Sequence, residues 1–384
     1  MNLKHLILLT IIATPFARAE EAKQALIPRD TANASLRREV QHAIDKGLAF
    51  LKEQQKPEGW FSTPDYPAIS GLALSAFLRD TENRYTKDNS ELVRKGVDYL
   101  LSCAHADGGI YKKEDLLNYN TSVAMMTLLA ADESKYNDLL RKGREFLVKS
   151  QHHLAGDPHD GGIGYGDDNK HSDLSNMVMA LEALHSTQHL KGVEAAATRD
   201  LDWKAAIGFI QRCQNLPEYN KEPYASGDEK NRGGFIYYPG KSQAGKMELP
   251  DGKVALRSYG SISYDGLLSY IYSEVQKDDP RVRAVFEWLQ KNYTLDENPG
   301  MGMQGRYYYY HTIAKALVTF GADKMTLPDG RQVDWKTDLA KRLLDLQKPD
   351  GSWSNSDSGR WWEKDPVLVT SYSVLALEII CRAM

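Results

Sequence analysis

The 384-residue chain carries 48 Lys plus Arg against 52 Asp plus Glu, a net charge of −4, and 42% of its residues are hydrophobic. That apolar content suffices for a sizeable core, and the near balance of charge leaves no basic face for nucleic acid, so a nucleic-acid partner is excluded. Cys103, Cys213 and Cys381 each lie inside or beside an apolar helical pattern. They permit one disulfide at most and read as buried thiols.

At the start of the chain, Lys4 and His5 precede an apolar run over 6–13, and Ala17-Arg18-Ala19 precedes Glu20. This is the pattern of a secretory signal with an A-x-A cleavage site, too short to remain as a membrane-spanning helix. Residues 1–19 are expected to be removed, leaving a protein exported to the periplasm or the extracellular space. Residues 20–35, charged and Ala-rich, read as a leader, and 36–384 as a single domain. No later run reads as a transmembrane segment, which leaves peripheral contact as the form any membrane association takes.

From there the chain alternates apolar helical patterns with hinges rich in Gly and aromatics, six times over. The first helix of each unit centres on Phe50-Leu51, Tyr99-Leu100, Phe146-Leu147, Phe209-Ile210, Trp288-Leu289 and Leu343-Leu344. The second helices, apolar with small residues, cover 68–78, 121–131, 174–184, 261–271, 311–320 and 370–380. The best-formed hinge is the last, Gln347-Lys348-Pro349-Asp350-Gly351-Ser352-Trp353, and the first, Gln55-Lys56-Pro57-Glu58-Gly59-Trp60, is most like it. Pro and Gly cannot continue a helix, so the chain reverses at each hinge while the aromatic ring packs back between neighbouring pairs. A helix pair cannot bury both of its faces alone, and an open row of pairs needs polar terminal caps. Neither terminal unit looks like one. The expected fold is therefore all-α, an α/α toroid of about six helix–hinge–helix repeats closed into a ring, with the second helices inside and the first outside. Two hinges are expanded, the fourth over about 215–258 and the fifth with Tyr307-Tyr308-Tyr309-Tyr310. Long loops at the heads of inner helices are where function is expected.

With these hinges the sequence resembles the terpene cyclase and protein prenyltransferase α/α-toroid superfamily, most closely its compact secreted bacterial members with squalene-cyclase or prenyltransferase repeats. Gln347 to Trp353 resembles that family's QW motif, and Gln55 to Trp60 a version shortened by one residue. The resemblance covers nearly the whole mature chain. Squalene–hopene-type cyclases carry Asp-x-Asp-Asp, whose central acid protonates a polyene. The best match here is Asp173-Leu174-Ser175-Asn176, which keeps one carboxylate of three and puts Ser175 at the donor position. Asp173 also suits the N-cap of its helix. Prenyltransferases hold zinc with Asp, Cys and His. Tyr310-His311-Thr312 resembles the segment with the His, but Arg257-Ser258-Tyr259 stands where the other two ligands belong. No bound metal or cofactor is expected. His152, His153, Asp157, His159, Asp160, Asp167, Asp168, His171 and Asp173 crowd the third hinge without a recognised ligand spacing, so a polar surface loop is the expected reading.

The candidate catalytic residues are Asp173, Asp265 and His311, and the candidate ligand-binding residues are Asn120, Asn176, Tyr259, Tyr264, Tyr309, Tyr310 and Tyr372. They lie near the starts of inner helices, so Asp173, Asp265, Tyr310 and His311 are expected to meet at one mouth. An aromatic wall with few charges suits an apolar ligand, which the resemblance makes an isoprenoid. Three readings stay open: a cyclase or isomerase acting on isoprenoids, a non-catalytic secreted binding or scaffold toroid, and a carbohydrate-active toroid of polysaccharide-lyase type.

Overall fold

The computed structural model describes residues 31–131, 134–166, 171–190 and 200–384. The expected signal at 1–19 lies outside these residues. The described residues form six helix pairs. The outer members are α1 (Thr31–Gln54), α3 (Glu91–Ser102), α5 (Asn137–Lys149), α7 (Trp203–Arg212), α9 (Pro280–Lys291) and α11 (Trp335–Leu346). The inner members are α2 (Pro67–Leu78), α4 (Leu117–Ala131), α6 (Leu174–Ser186), α8 (Gly260–Tyr272), α10 (Arg306–Phe320) and α12 (Pro366–Ala383). Helix α1 already includes residues 31–35, which the sequence places in the leader. Two small hairpins, β1 (Lys246–Glu248) with β2 (Val254–Leu256) and β3 (Met325–Thr326) with β4 (Gln332–Val333), decorate the fourth hinge and the α10–α11 connection.

Helix starts follow local chemistry. Asp173, Asp202, Asp334 and Asp365 each accept a hydrogen bond from a backbone N–H two or three residues on, and Pro280 and Pro366 open their helices where no donor is needed. Several inner helices begin earlier than the apolar pattern implies, α4 at Leu117 and α10 at Arg306, whose first turns hold polar and aromatic residues, and α12 at Pro366, where Asp365 supplies the cap.

Each inner helix packs against the inner helices before and after it, and α12 returns to α2, so the inner layer is a closed barrel. The last pair also meets the first in the outer layer, α11 packing on α1, while α12 packs on α1 across the two layers. Outer helices keep one apolar face, whereas α2 buries every residue from Pro67 to Phe77. At 18 residues α12 is long and apolar enough to cross a membrane, contrary to the sequence reading, yet 78% of it is buried within the barrel. Ring packing accounts for its composition.

The hinges explain the closure. The Gln347 side-chain amide donates to the Gly351 carbonyl in its own hinge (3.0 Å) and to the Ala43 carbonyl on α1 (2.9 Å), joining the last pair to the first. Gln55, Gln151 and Gln214 make the same pair of hydrogen bonds, each to its own hinge and to the start of the next outer helix, at Leu92, the N-cap Asp202 and Arg281. Gly351 has φ 88°, and a Cβ there would lie 2.4 Å from the Lys46 carbonyl oxygen. Only glycine tolerates both that backbone angle and that approach.

Two residues past the left-handed glycine the backbone N–H is taken by a hydroxyl of the inner helix: Trp353 by Thr370 (3.0 Å), Phe61 by Ser70 (2.9 Å), Ile110 by Thr121 (2.9 Å) and Phe235 by Ser263 (3.0 Å). This corrects the reading of the first hinge. Phe61, not Trp60, takes the place of Trp353, so the hinge is full length and Trp60 is the half-buried neighbour of Lys56.

Trp353 is completely buried, and its indole N–H donates to the Leu343 carbonyl (2.8 Å). It does not line the central cavity. Trp353→Ala is expected to lower stability by ~3–5 kcal/mol, the usual cost of truncating a buried large aromatic. Urea denaturation checks this, and an unchanged midpoint would remove the staple role.

Candidate functional site

Because inner and outer helices alternate in direction, all six inner helices begin at the hinge end of the barrel. Their first turns enclose a cavity of 320 Å³ lined by Ala68 and Ile69 of α2, Tyr119 of α4, Ser175 and Asn176 of α6, Ser261, Ile262 and Asp265 of α8, Tyr308 of α10, and Leu368 and Tyr372 of α12. Hinge residues Tyr66, Tyr165, Tyr237 and Tyr259 and the loop residues Trp361 and Trp362 complete an aromatic wall. Trp361 and Trp362 both hold left-handed backbone angles (φ 54° and 63°), lie at the mouth with about half their surface exposed, and Trp362 meets Tyr66 edge-on at 5.2 Å. Their loop is anchored by Glu363, whose Oε1 accepts from the N–H groups of Tyr307 and Tyr308 and whose Oε2 accepts from Asn355. Glu363 thus caps α10, which begins at a glycine with no capping side chain.

Two carboxyls line the cavity, Glu363, which the α10 cap and Asn355 occupy, and Asp265. Both Asp265 oxygens accept from the Tyr308 hydroxyl, at 3.1 and 3.0 Å. Burial pushes its pKa up to about 8, against the Tyr308 hydrogen bonds and the Lys315 charge, with Asp173 adding a further upward push. At neutral pH most of it is a carboxylic acid.

Asp173 lies behind the wall. It is fully buried as the N-cap of α6, Oδ1 accepting from Asn176 N–H (2.9 Å) and Oδ2 from Asn176 Nδ2 (2.8 Å). Burial raises its pKa to about 6, while bonds from Asn176 and Tyr237 oppose the rise.

Of the four residues expected at one mouth, only Asp265 reaches it. Tyr310 is turned outward, its hydroxyl donating to the Leu295 carbonyl and accepting from Arg342. His311 faces a second chamber deeper in the barrel, lined also by Arg79, Glu182, Lys315 and Glu378. Tyr309 donates to the Thr294 carbonyl, Tyr264 packs against Tyr309 at 5.8 Å, and Asn120 accepts from Ala68 N–H. None of these three lines either chamber, whereas Asn176, Tyr259 and Tyr372 do line the upper one. Four consecutive tyrosines point about 100° apart around a helix, so one of them, Tyr308, takes the axial position.

The two chambers share Tyr119 and Tyr372, whose hydroxyls lie 3.2 Å apart and form a floor between them. His311 stacks beneath Tyr372 at 5.5 Å between centroids. Burial, then the charges of Lys315 and Arg79, push its pKa down to about 3, so the imidazole is neutral.

Sequence reasoning missed Tyr119, Tyr308, Tyr165, Tyr237, Trp361 and Trp362 as wall residues. Helical projection of Tyr308 with His311 and Lys315 carries a signal for the first kind, since all three line the axis. The tryptophan pair sits in an irregular loop where no period applies. In the third hinge, Ser172 bonds His152 and His159, and His171 packs on Tyr238 at 4.8 Å. Asp167 and Asp168 lie outside the described residues, and among the described ones no three His, Cys, Asp or Glu side chains gather as a metal requires.

No family model matches the chain. Over 147 residues, 33% of this chain and 19% of the relative's length, it is 28% identical to the terpene cyclase/mutase ntnI of Nectria sp. Among solved structures, a variant of the type II terpene cyclase MstE from Scytonema, in complex with geranylgeranyl dihydroxybenzoate, has TM-score 0.54 and 13% identity, covering 91% of this chain and 100% of that one. An α-1,6-mannanase from Salegentibacter sp. has TM-score 0.56 and 10% identity over 90% of this chain and 100% of its own. The chain is an α/α toroid of the type found in type II terpene cyclases, a fold that mannanases also use.

The state of Asp265 has a thermodynamic consequence. A carboxyl whose folded pKa exceeds its unfolded value takes up a proton on folding, so its contribution is most favourable below about pH 4 and is lost as pH rises through 8. Asp265→Asn, which mimics the protonated acid and keeps an acceptor for Tyr308, is expected to gain stability relative to the parent as pH rises from 4 to 9. Urea midpoints for both proteins at pH 5, 7 and 9 check this. A difference independent of pH would mean that Asp265 is ionised throughout.

Proposed function

We propose that the upper cavity binds an apolar isoprenoid and isomerises or cyclises it, with Asp265 as the proton donor. The observation that carries this reading is a buried carboxyl, its pKa pushed up by desolvation, lining a mostly aromatic and aliphatic cavity. The geranylgeranyl compound bound by the structurally similar MstE supports the ligand class. Asp265 gives its proton to a C=C bond, forming a C–H bond and leaving a carbocation. A second C=C bond supplies the electron pair for ring closure, and a neighbouring C–H proton returns to the Asp265 carboxylate, so the product is an isomer of the substrate. Tyr308, already bonded to both oxygens, stabilises the carboxylate left behind, and the π faces of Tyr119, Tyr259 and Tyr372 stabilise the cation. Burial makes Asp265 a weaker acid than usual but keeps it protonated at neutral pH, and the ion pair it creates forms in a low dielectric where the attraction is strong.

The resemblance expects the donor at Ser175, which lines the same cavity. The available carboxyl comes instead from α8, packed beside α6. A glycosidase reading needs two free carboxyl groups across the cavity, and both oxygens of Glu363, the other acidic residue in the wall, are taken by the α10 cap and Asn355.

Lipids that co-purify with the mature protein, identified by mass spectrometry, give the ligand. Incubation with farnesyl- and geranylgeranyl-bearing compounds is expected to yield products of unchanged mass with fewer C=C bonds. Asp265→Asn should reduce this conversion at least ~100-fold, the span of a lost general acid, while binding persists. Binding without conversion in the parent protein would make the toroid a carrier. Conversion that survives Asp265→Asn would remove the mechanism.

We also propose export directed by residues 1–19, on the strength of Ala17-Arg18-Ala19 after the apolar run. The N-terminus of the exported protein is expected at Glu20, and Edman sequencing that begins at Met1 would overturn it.

A further inference from the structure

The lower chamber, 80 Å³ in volume, lies beyond the Tyr119–Tyr372 floor and plays no part in the chemistry proposed above. Its wall carries polar groups that the protein leaves unsatisfied. Both carboxyl oxygens of Glu378, at 1% exposure, the Nδ1 atom of His311 and the Ser122 hydroxyl are buried without a hydrogen-bond partner. An orphaned buried polar atom costs roughly 1–3 kcal/mol, so several in one cavity mark a place where something else completes the bonding.

The charges in the wall narrow what that is. Lys315 is paired with Glu182, and Arg382 donates to the backbone carbonyls of Arg79 and Asp80. The half-buried Arg79 guanidinium has no ion-pair or hydrogen-bond partner among the described residues. Asp80, the carboxylate next to it in the chain, is taken by Arg84. Burial pushes Glu378 well above the usual carboxylate range, and His311 is neutral. The wall therefore offers one free cation, a carboxyl that can donate, a hydroxyl and an imidazole. The inner helices end on this side, and their C-terminal dipoles disfavour an anion by about 0.3–1 kcal/mol each at most. A planar guanidinium facing a carboxylate, with charge-assisted bonds of about 1.5–3 kcal/mol, outweighs that.

We propose that the lower chamber is a carboxylate-binding site, in which Arg79 holds the ligand's carboxylate and Glu378, His311 and Ser122 complete its hydrogen bonds. With roughly 10–15 Å³ needed per water, the volume takes a carboxylate and a few more atoms. The carboxylate belongs either to a small free acid or to the head of a longer chain that displaces Tyr372 and continues into the upper cavity. Because the site rests on the lower wall alone, it stands or falls separately from the Asp265 chemistry.

Isothermal titration calorimetry of the mature protein with acetate, dodecanoate and methylammonium tests this. At least one of the two acids is expected to bind, with Arg79→Gln weakening it about tenfold or more and Arg79→Lys restoring part of the loss. Glu378→Gln, which keeps the neutral donor, should preserve the affinity. Equal affinity for acetate and dodecanoate identifies a small free acid, whereas tighter dodecanoate binding that is abolished by filling the floor with Tyr119→Trp identifies a chain head group. The proposal is overturned if neither acid binds, if binding is indifferent to Arg79→Gln in a protein with unchanged circular dichroism, or if methylammonium binds and Glu378→Gln abolishes it.

Discussion

The double hydrogen bond from the Gln347 amide, to Gly351 in its own hinge and to Ala43 on α1, is the contact on which the closed ring depends. It ties residues some 300 positions apart with the same geometry that Gln55, Gln151 and Gln214 use between adjacent units. A repeat array that used a different contact at its ends would need caps. Here the last interface repeats the local one, so the ring closes with no exposed apolar end. The contact also demands glycine behind it, since the hinge backbone lies against the carbonyls of the next outer helix. Gln, Gly and the aromatic of the motif thus have separate duties: the bridge, the close approach and the wedge.

Closure creates the environment that the proposed chemistry requires. Six inner helices enclose an axis along which the side chains are buried, and groups there shift towards their neutral forms, Asp265 upward and His311 downward. The same desolvation acts at both ends of the bore, but the two chambers differ in what surrounds it. Above the floor the wall is mostly aromatic and carries two buried acids, Asp265 and the Glu363 that caps α10. Below it, Arg79, Lys315, Glu182 and Glu378 make a polar pocket. The Tyr119–Tyr372 pair separates them, and because each of these rings belongs to a different inner helix, the partition depends on the barrel being closed.

The loop carrying Trp361 and Trp362 is a further dependent feature. Two bulky residues in left-handed backbone are strained, at a cost of order 1–3 kcal/mol each. Glu363 compensates by satisfying the first N–H groups of α10 and Asn355 together, so the loop is pinned at the head of the helix that carries Tyr308. The mouth of the cavity and its key hydroxyl are therefore positioned by one carboxylate.

The amino-acid sequence by itself determined the helix pairs, their hinges and the toroid, because helical period and the Pro and Gly signals are local properties, and because the last hinge repeats the first. It also identified Asp265, Asn176, Tyr259 and Tyr372 as residues at the heads of inner helices. What the tertiary structure decided is the rotation of each helix about its own axis, which brings Tyr308 rather than Tyr309 or Tyr310 to the cavity and drops His311 beneath the floor. That rotation is set by packing against two inner neighbours and an outer layer at once, and no single segment encodes it. The same holds for Phe61, whose likeness to Trp353 lies in the hydroxyl that receives its N–H and not in its letter. Above all, the raised pKa of Asp265 comes from burial by helices distant in sequence, a collective property that the residue acquires only when the ring is closed.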